Sequence, residues 1–590
     1  MNSSANKIRV LSEDLTNKIA AGEVVDRPAS VVKELVENSI DAGADEITVV
    51  LRQGGKSLIH VVDNGAGMSR EDAILAIQRH TTSKIESYDD LHNIRTLGFR
   101  GEALASIASV SRLELKTMVA KETIGTMLKI EGGLVDAVAD SGGTRGTTIS
   151  VKNLFYNTPA RRKFLKTDET EYRHTLGVLQ RYSLPYFQVS FNIYHNDQQI
   201  YSLKPTEPRQ RVIDVLGSRY ADKLVTVEDK GTLLTIWGFI GNKDSAKKSR
   251  GDQFLFLNGR YIVNRALNHA IVSSYGAIIP RGEFPMYVLF LEIEPRRVDV
   301  NVHPTKMEVK FADERLVYSL LRAAVKRALA SEQIIPALSP NFSVTPQPFS
   351  RPPEDWYAQQ TVIPLYETAP NIERPIFSPT PSTGAGEQRP GAIQLPRHES
   401  KFERQNVWQI HNQYIVSEIK SGLIVIDQHV AHERILYERA LKKFEDSNPG
   451  SQQLLFPQVI ELTPEELTYL MEILPFLEKI GFVVKGFGGN TVVLEGVPSG
   501  LKISKPETII IEILDEFKSN KGTSLDIRDN VAKSYSCKMA IKKGDPLSRE
   551  EMNMLIDQLF ATQSPYFCPH GRPVIVNISL EELDKRFGRI

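Results

Sequence analysis

The chain is predicted to be a multidomain α+β protein, and three features of its 590 residues carry that reading. Residues 1–215 alternate helix-like and strand-like segments, the pattern of a mixed sheet covered by helices on one face. In residues 216–335 the strand patterns Leu233-Leu-Thr-Ile-Trp-Gly-Phe-Ile and Phe254-Leu-Phe-Leu precede a helix pattern from Ala266 to Ser274, which gives a second, βαβ-type unit. Residues 336–400 hold 13 of the chain's 32 prolines among Ser, Thr, Gln and Gly, with no sustained helical or strand period. Such a stretch is expected to be a disordered linker that sets a reach rather than a fixed geometry. Residues 401–590 return to folding patterns and form a C-terminal α/β domain, with an inserted subdomain at about 455–530.

Charge and composition exclude several classes of protein. Lys plus Arg and Asp plus Glu each number 72, so the whole-chain charge is silent about partners and any nucleic-acid surface must come from local asymmetry. Two cysteines cannot build a disulfide framework, which suits a reducing cytoplasm. The N-terminus lacks a long apolar core and there is no apolar run long enough to span a bilayer, so neither secretion nor membrane insertion is expected.

The stretch from Lys33 to Gly67 carries the first chemistry. On a helix, Glu34 and Asn38 share a face. The carboxylate can take a proton from water, and the amide oxygen can ligate Mg²⁺. Ser57-Leu-Ile-His-Val-Val62 suits a buried strand, and Asp63-Asn-Gly-Ala-Gly67 turns sharply where glycine lets the backbone approach a ligand. Asp63 can accept a hydrogen bond from an exocyclic amine. Taken singly, these are a solvated helix face and an ordinary turn. Together with Thr96-Leu-Gly-Phe-Arg-Gly-Glu-Ala-Leu104, which suits a glycine-hinged lid, they read as a nucleotide site. Gly142-Gly-Thr-Arg-Gly-Thr-Thr148 leads into an alternating strand and is either a hairpin loop or a turn whose amides face a phosphate.

This trio resembles the ATP site of the GHKL family, which groups gyrase, the ninety-kilodalton heat-shock chaperones, histidine kinases and MutL. The flanks narrow the likeness. Ile19-Ala-Ala-Gly-Glu-Val-Val-Asp-Arg-Pro-Ala-Ser-Val-Val-Lys-Glu-Leu-Val-Glu-Asn38, His80-Thr-Thr-Ser-Lys84, Gly98-Phe-Arg-Gly-Glu-Ala-Leu-Ala-Ser106 and Asn153-Leu-Phe-Tyr-Asn-Thr-Pro-Ala-Arg161 resemble the MutL family throughout. The resemblance implies a GHKL α/β sandwich at residues 1–215 that hydrolyses Mg-ATP. Glu34 is then the general base, Asn38 holds Mg²⁺, Asp63 reads adenine, and Gly65, Gly67, Gly98 and Gly101 shape pocket and lid. Thr82, Ser83, Lys84, Phe99, Arg100, Thr147 and Thr148 are expected to line the same nucleotide. Lys306, in Asn301-Val-His-Pro-Thr-Lys-Met-Glu-Val-Lys-Phe311, reads alone as a surface lysine. The resemblance makes it a γ-phosphate sensor that reaches across a domain boundary.

Residues 201–330 carry 21 Lys and Arg against 14 Asp and Glu, with Lys243, Lys247, Lys248 and Arg250 clustered before Gly251. Such a cluster is either a solvated loop or a surface for backbone phosphates. In the MutL family this unit lines a DNA groove, and Arg260 and Arg265 occupy the matching Asn-Gly-Arg segment, so Arg260, Arg265, Lys247 and Lys248 are the expected DNA contacts.

In the C-terminal region a strand ends at Asp427, and Asp427-Gln-His-Val-Ala-His-Glu-Arg-Ile-Leu-Tyr-Glu438 sets His429 and Glu433 one helical turn apart. Far downstream stands Cys568-Pro-His-Gly-Arg-Pro573, whose thiolate and imidazole (Cys568, His570) suit Zn²⁺. The pairing resembles the MutL subset whose C-terminal domain dimerises and nicks DNA with a divalent metal. It implies that Asp427, His429, Glu433, Cys568 and His570 hold Mn²⁺ or Zn²⁺, with Asp427 and Glu433 catalytic. Val430, Ser536 and Lys538 depart from that subset's pattern. Glu465 to Leu474 reads as a helix broken or kinked at Pro475. Gln452, Leu455 and Pro457 are spaced like the short peptide that docks on the bacterial sliding clamp, or else belong to an ordinary strand. The expected protein is a homodimeric mismatch-repair ATPase in the bacterial cytoplasm, partnered by DNA, the mismatch sensor MutS and the clamp. One alternative is a matchmaker without nuclease activity whose zinc is structural; another is a chaperone or topoisomerase subunit sharing the ATP pocket.

Overall fold

The computed structural model describes residues 24–84, 96–98, 101–249, 251–280, 282–299, 309–331, 406–445, 450–499, 506–520 and 526–589. The expected linker, Lys306, Phe99 and Arg100 lie outside the described residues.

The protein is a mixed α/β chain. Its first sheet has eight strands: β1 (Glu46–Arg52), β2 (Leu58–Asp63), β3 (Arg112–Met118), β4 (Gly125–Glu131), β5 (Leu134–Ser141), β6 (Gly146–Lys152), β7 (Ser190–His195) and β8 (Gln198–Leu203). Their order is β5-β4-β3-β6-β2-β1-β7-β8, with β1 and β7 parallel and β1 and β2 antiparallel. In β1 Ile47, Val49 and Leu51 are buried while Glu46 and Arg52 at its ends are exposed, so one face of the strand enters the core. Helix α1 (Pro28–Asp41) begins with a proline that needs no backbone donor there, and buries Val31, Val32, Leu35 and Val36 in the same core as β1 and β2. Helix α2 (Asp168–Ser183) adds Leu176 and Leu179. Arg211 fastens this region from the helix Pro208–Leu216. Its guanidinium is fully buried and donates to the carbonyls of Ser183, Tyr186, Phe187, Val189 and Lys204, and burial brings its pKa down to about 10.

The second sheet orders β12 (Arg260–Ile262), β11 (Gln253–Leu257), β13 (Tyr287–Ile293), β10 (Leu234–Gly241) and β9 (Leu224–Lys230), with β11 and β13 parallel. Helices α3 (Arg265–Tyr275) and α4 (Glu314–Ser331) share its second core, where Leu255, Leu289, Leu267, Ile271 and Leu321 are buried. The segments expected at Leu233–Ile240, Phe254–Leu257 and Ala266–Ser274 are present within a residue or two.

After residue 405, strands β14 (Val407–Ile410), β15 (Tyr414–Ile419), β16 (Gly422–Asp427) and β20 (Ile575–Ser579) form an antiparallel sheet in that order. Helices α5 (Gln428–Lys443) and α9 (Arg549–Phe560) pack on one face through Val430, Ala431, Ile435, Leu555 and Leu559. A three-stranded sheet of β17 (Ser451–Glu461), β19 (Thr491–Pro498) and β18 (Val483–Gly488) packs with helices α6 (Pro464–Ile480), α7 (Pro506–Asn520) and α8 (Ile527–Met539). Of the two expectations at Pro475 the break is not found: helix α6 continues through Pro475 to Ile480. Proline removes the donor to the carbonyl of Met471, whose residue is 60% exposed and so keeps access to water. A capping box of Thr463 and Glu466 and buried Leu470, Ile473, Leu477 and Ile480 hold the helix on both sides of the proline. No helix among the described residues is long and apolar enough to cross a membrane.

Candidate nucleotide and metal sites

Helix α1 brings Glu34 and Asn38 to one end of the first sheet. Glu34 Oε1 lies 2.7 Å from Lys33 Nζ, which also reaches Glu37 Oε1 at 3.0 Å, and Glu37 in turn accepts from the Tyr182 hydroxyl. Asn38 Oδ1 accepts from Lys84 Nζ at 3.0 Å. The same ammonium pairs with Asp41, whose carboxylate also receives the backbone amides of Leu97 at 2.9 Å and Gly98 at 3.1 Å. Asn38 and Asp41 therefore already hold a cation between oxygen donors, the hard donor type that Mg²⁺ takes.

Asp63 ends β2 with its carboxylate fixed on both oxygens. Oδ2 accepts from Ser39 Oγ at 2.9 Å, and Oδ1 from the amides of Gly65 at 3.0 Å and Thr147 at 3.2 Å. Burial raises its pKa against these three bonds. Two glycines are required by contact. Gly67 has φ +72°, and a Cβ there would stand 2.1 Å from Met118 O; Gly101 has φ +64°, with Thr81 O 2.3 Å from the same imagined atom. Thr147 also meets Thr117 Oγ1 at 3.1 Å, Thr148 pairs with Val62 in the ladder, Thr82 accepts from the Lys84 amide, and Ser83 is exposed.

Sequence reasoning missed Asp41, Ser39 and Arg145. The last donates from Nε to Gly65 O at 3.0 Å and ties the Gly142–Thr148 segment to the Asp63 turn. Only Asp41 left a signal, one turn beyond Asn38 on the same helix.

In the C-terminal region Glu433, Cys568 and His570 offer ligand atoms that all lie within 4.8 Å of one another. Glu433 is 2% exposed, and its Oε1 stands 2.6 Å from His570 Nδ1. Bonds to Cys568 and then to Glu433 raise His570 to about 9. Burial alone would raise the Cys568 thiol, but the His570 side chain and the amides of Arg572 and His570 bring it below its ordinary value. A thiolate, an imidazole and a carboxylate converging in a half-buried position fit a divalent cation of the Zn²⁺ type.

Asp427 and His429 stand outside that group of three. Asp427 caps α5, its Oδ1 accepting from the amides of His429 and Val430 at 3.0 and 3.1 Å. His429 Nδ1 donates to Ile541 O at 2.8 Å, which orients the ring and leaves Nε2 as the nitrogen turned away from that bond. Glu438 accepts from the amides of Gln563 and Ser564, on the segment that leads to Cys568.

The expected DNA contacts fall into three environments. Arg265 is exposed at the start of α3; Arg260 donates to the carbonyls of Thr96 and Leu97; Lys247 and Lys248 are ion-paired, with Asp252 at 2.7 Å and Glu516 at 2.9 Å. In β17 the pairing with β19 shifts register between Gln453 and Gln458, and the intervening Leu455 and Phe456 are 87% and 74% exposed.

The fold and the first site define a class. Residues 26–141 match the model of the histidine kinase-, DNA gyrase B- and HSP90-like ATPases. Residues 212–330 match the DNA mismatch repair protein C-terminal domain, and residues 407–547 the MutL C terminal dimerisation domain. The chain is 43% identical to the DNA mismatch repair protein MutL of Pelodictyon phaeoclathratiforme over 99% of its own length and 100% of that protein's. It is 41% identical to that of Chloroherpeton thalassium, over 99% of both. Among solved structures, the Aquifex aeolicus MutL ATPase domain complexed with ADP aligns with 51% of this chain and 98% of that one, at 27% identity and a TM-score of 0.37. The chain belongs to the MutL family of DNA mismatch repair proteins. It has a GHKL-type ATPase domain, which uses ATP and Mg²⁺, and a C-terminal dimerisation domain. Membership in that family sets aside the chaperone and topoisomerase alternatives.

Proposed function

We propose that this protein is a homodimeric mismatch-repair ATPase whose C-terminal domain nicks DNA with a divalent metal. The observation that carries the nuclease part is the convergence of Glu433, Cys568 and His570 from segments far apart in sequence. A matchmaker whose structural zinc is closed by four ligands would not need the further donors that Asp427 and His429 set at the start of α5. Asp427 and His429, on the first turn of α5, are the proposed additional ligands, and Asp427 and Glu433 the catalytic carboxylates. When bound there, Mn²⁺ or Zn²⁺ supplies an acidified water and charge for the leaving oxygen. The test is incubation of the pure protein with supercoiled plasmid and Mn²⁺, with and without chelator. Open circles that chelator prevents are expected, and their absence with Mn²⁺ returns the matchmaker reading.

At the nucleotide site Glu34 takes the proton of the attacking water, and Asn38 presents the amide oxygen that would hold Mg²⁺. Asp63 accepts the hydrogen bond of adenine's exocyclic amine. Gly65, Gly67, Gly98 and Gly101 with Phe99 and Arg100 shape pocket and lid, Thr82, Ser83, Lys84, Thr147 and Thr148 line the nucleotide, and Lys306 reads the γ-phosphate. The functional units are residues 1–215, 216–335, 336–400 and 401–590, with the insert at about 455–530.

Dimerisation uses the outer face of the β14–β15–β16–β20 sheet. Trp408, Val416, Val425 and Val576 stand opposite one another across its four strands, and Trp408 and Val576 are 51% and 53% exposed. An apolar row of this kind on a sheet face is what a second copy covers. Arg260, Arg265, Lys247 and Lys248 contact DNA, and the protruding Leu455, with Gln452 and Pro457, docks on the sliding clamp. MutS is the mismatch sensor in this scheme, and the bacterial cytoplasm its setting.

A further inference from the structure

Four basic side chains from before the linker, Arg173, Arg219, Lys247 and Lys248, face the insert of the C-terminal region. Arg173 on α2 pairs with Glu472 on α6 and lies 4.5 Å from the ring centre of Tyr469. Arg219 pairs with Glu466, which is 1% exposed. Ser218 Oγ donates to Glu461 Oε2 at 2.9 Å. Lys247 Nζ lies 3.9 Å from Asp515 Oδ1, and Lys248 Nζ 2.9 Å from Glu516 Oε2, both carboxylates on α7. Four cations from before the linker thus meet four carboxylates from after it.

The match is of the kind a basic surface makes with backbone phosphates, since carboxylates set along two helices offer charge-assisted acceptors just as phosphates along a duplex do. It is also imperfect. Asp515 Oδ1 is buried without a hydrogen-bond partner among the described residues, and burial raises the Asp515 pKa. A buried carboxylate left so is costly, which favours release of the contact when a better-matched anion arrives.

We propose that the acidic face of the insert, Glu466, Glu472, Asp515 and Glu516, occupies the surface of Arg173, Arg219, Lys247 and Lys248 in the DNA-free chain and is displaced there by the phosphates of duplex DNA. The displacement rests on the reading of Lys247 and Lys248 as DNA contacts; the intramolecular contact does not. Without DNA the insert holds the two halves of the chain together and screens the basic surface. With DNA bound, the insert and the C-terminal region behind it are set free of that surface.

The full chain at low salt, treated with a zero-length carbodiimide cross-linker, should yield a Lys248–Glu516 cross-linked peptide by mass spectrometry. Titration with a fully paired duplex should remove that peptide, and so should added salt, because exposed parts of the contact are screened. Lys248→Glu should weaken duplex binding and lower its salt slope by about 1. The side chain of Lys248 is 43% exposed, so its replacement does not threaten the fold. Glu472→Gln with Glu516→Gln, which keep the side-chain shapes, should bind duplex about tenfold more tightly, since freed cations add phosphate contacts. A missing cross-link at low salt, with duplex binding still weakened in Lys248→Glu, overturns the contact alone. A cross-link that persists at saturating duplex overturns the displacement. Unchanged duplex affinity in Lys248→Glu, with the cross-link formed, overturns the displacement by removing the DNA reading beneath it.

Discussion

Lys84 Nζ lies 3.0 Å from the amide oxygen of Asn38 and at the same time pairs with Asp41, so the proposed Mg²⁺ ligand is held by an ammonium. Asp41 also accepts the amides of Leu97 and Gly98, which makes this one carboxylate the joint between α1, the His80–Lys84 segment and the start of the lid. A cation entering at Asn38 must share or replace the ammonium. In the proposed site, Mg²⁺ at Asn38 and the Leu97–Gly98 backbone would therefore both bear on Asp41.

Asp41→Ala is expected to loosen the lid before it unfolds the domain. Two amides lose their acceptor and an ammonium loses its partner, at a cost of about 1–3 kcal/mol. Limited proteolysis should cut the segment around residue 98 faster, and ATP should protect it less. Equal cleavage in both proteins would show that Asp41 does not hold the lid.

Glu34→Ala should bind ATP and fail to turn it over. The substitution removes the proposed base but leaves Asn38 and Asp63, and base loss typically costs about 10²–10⁴-fold in rate. Asn38→Ala should lose nucleotide binding itself. Filter binding of labelled ATP beside a phosphate-release assay separates the two, and wild-type turnover in Glu34→Ala would remove its assignment.

Local patterns in the sequence carried much of this site, and the reasons are physical. Glu34 and Asn38 share a face because a helix has a fixed period, and Asp63 falls at a strand end because the apolar run stops there. Ser39 was silent because its partner, Asp63, comes from another segment, and Asp41 showed only its place one turn beyond Asn38, since no period reports a contact such as that with Gly98 across the chain. Arg211 was illegible for the same reason: nothing local tells a helix arginine that it will be buried under five carbonyls. The sequence left a break and a kink at Pro475 both open because a proline rule is local while the packing of Leu477 and Ile480 is not. The ion pairs between Lys248 and Glu516 or Arg219 and Glu466 lie beyond any spacing rule.

Trp408→Asp together with Val576→Glu should make the protein monomeric. Each places a charge on the row that a second copy would cover, and a buried unpaired charge is strongly unfavourable. Both positions are about half exposed here, so the single chain should keep its fold. Sedimentation equilibrium should give the mass of one chain where the unaltered protein gives two; an unchanged mass would place the dimer interface elsewhere.

Replacing Gln452 and Leu455 by alanine should abolish stimulation of nicking by the sliding clamp and leave ATP turnover as it was. Leu455 is 87% exposed at a break in the β17–β19 ladder, so little packing is lost with it. Full stimulation in the double variant would return the segment to an ordinary irregular strand.

The choice between nuclease and matchmaker turns on Glu433 and His570, and the structure decides which substitutions ask the question cleanly. Glu433→Lys inserts an ammonium where a cation is expected, but at a side chain 2% exposed it also buries a charge beside His570, which is itself raised to about 9. Misfolding would then imitate loss of metal. Glu433→Gln keeps the shape and removes only the charge, and His570→Ala removes a ligand from a side chain 26% exposed. Both should lower Mn²⁺-dependent nicking of supercoiled plasmid by at least about 10²-fold, the order that loss of an activated water entails. ATP turnover should stay near the wild-type rate, because distant sites without shared partners seldom couple strongly. A second readout guards against a merely structural effect: bound Zn²⁺ per chain, measured after dialysis, should fall in both variants while the dimer persists. If Glu433→Gln and His570→Ala, shown to be folded and dimeric, nick plasmid as the unaltered protein does, the cluster is not the nuclease and the matchmaker reading takes its place.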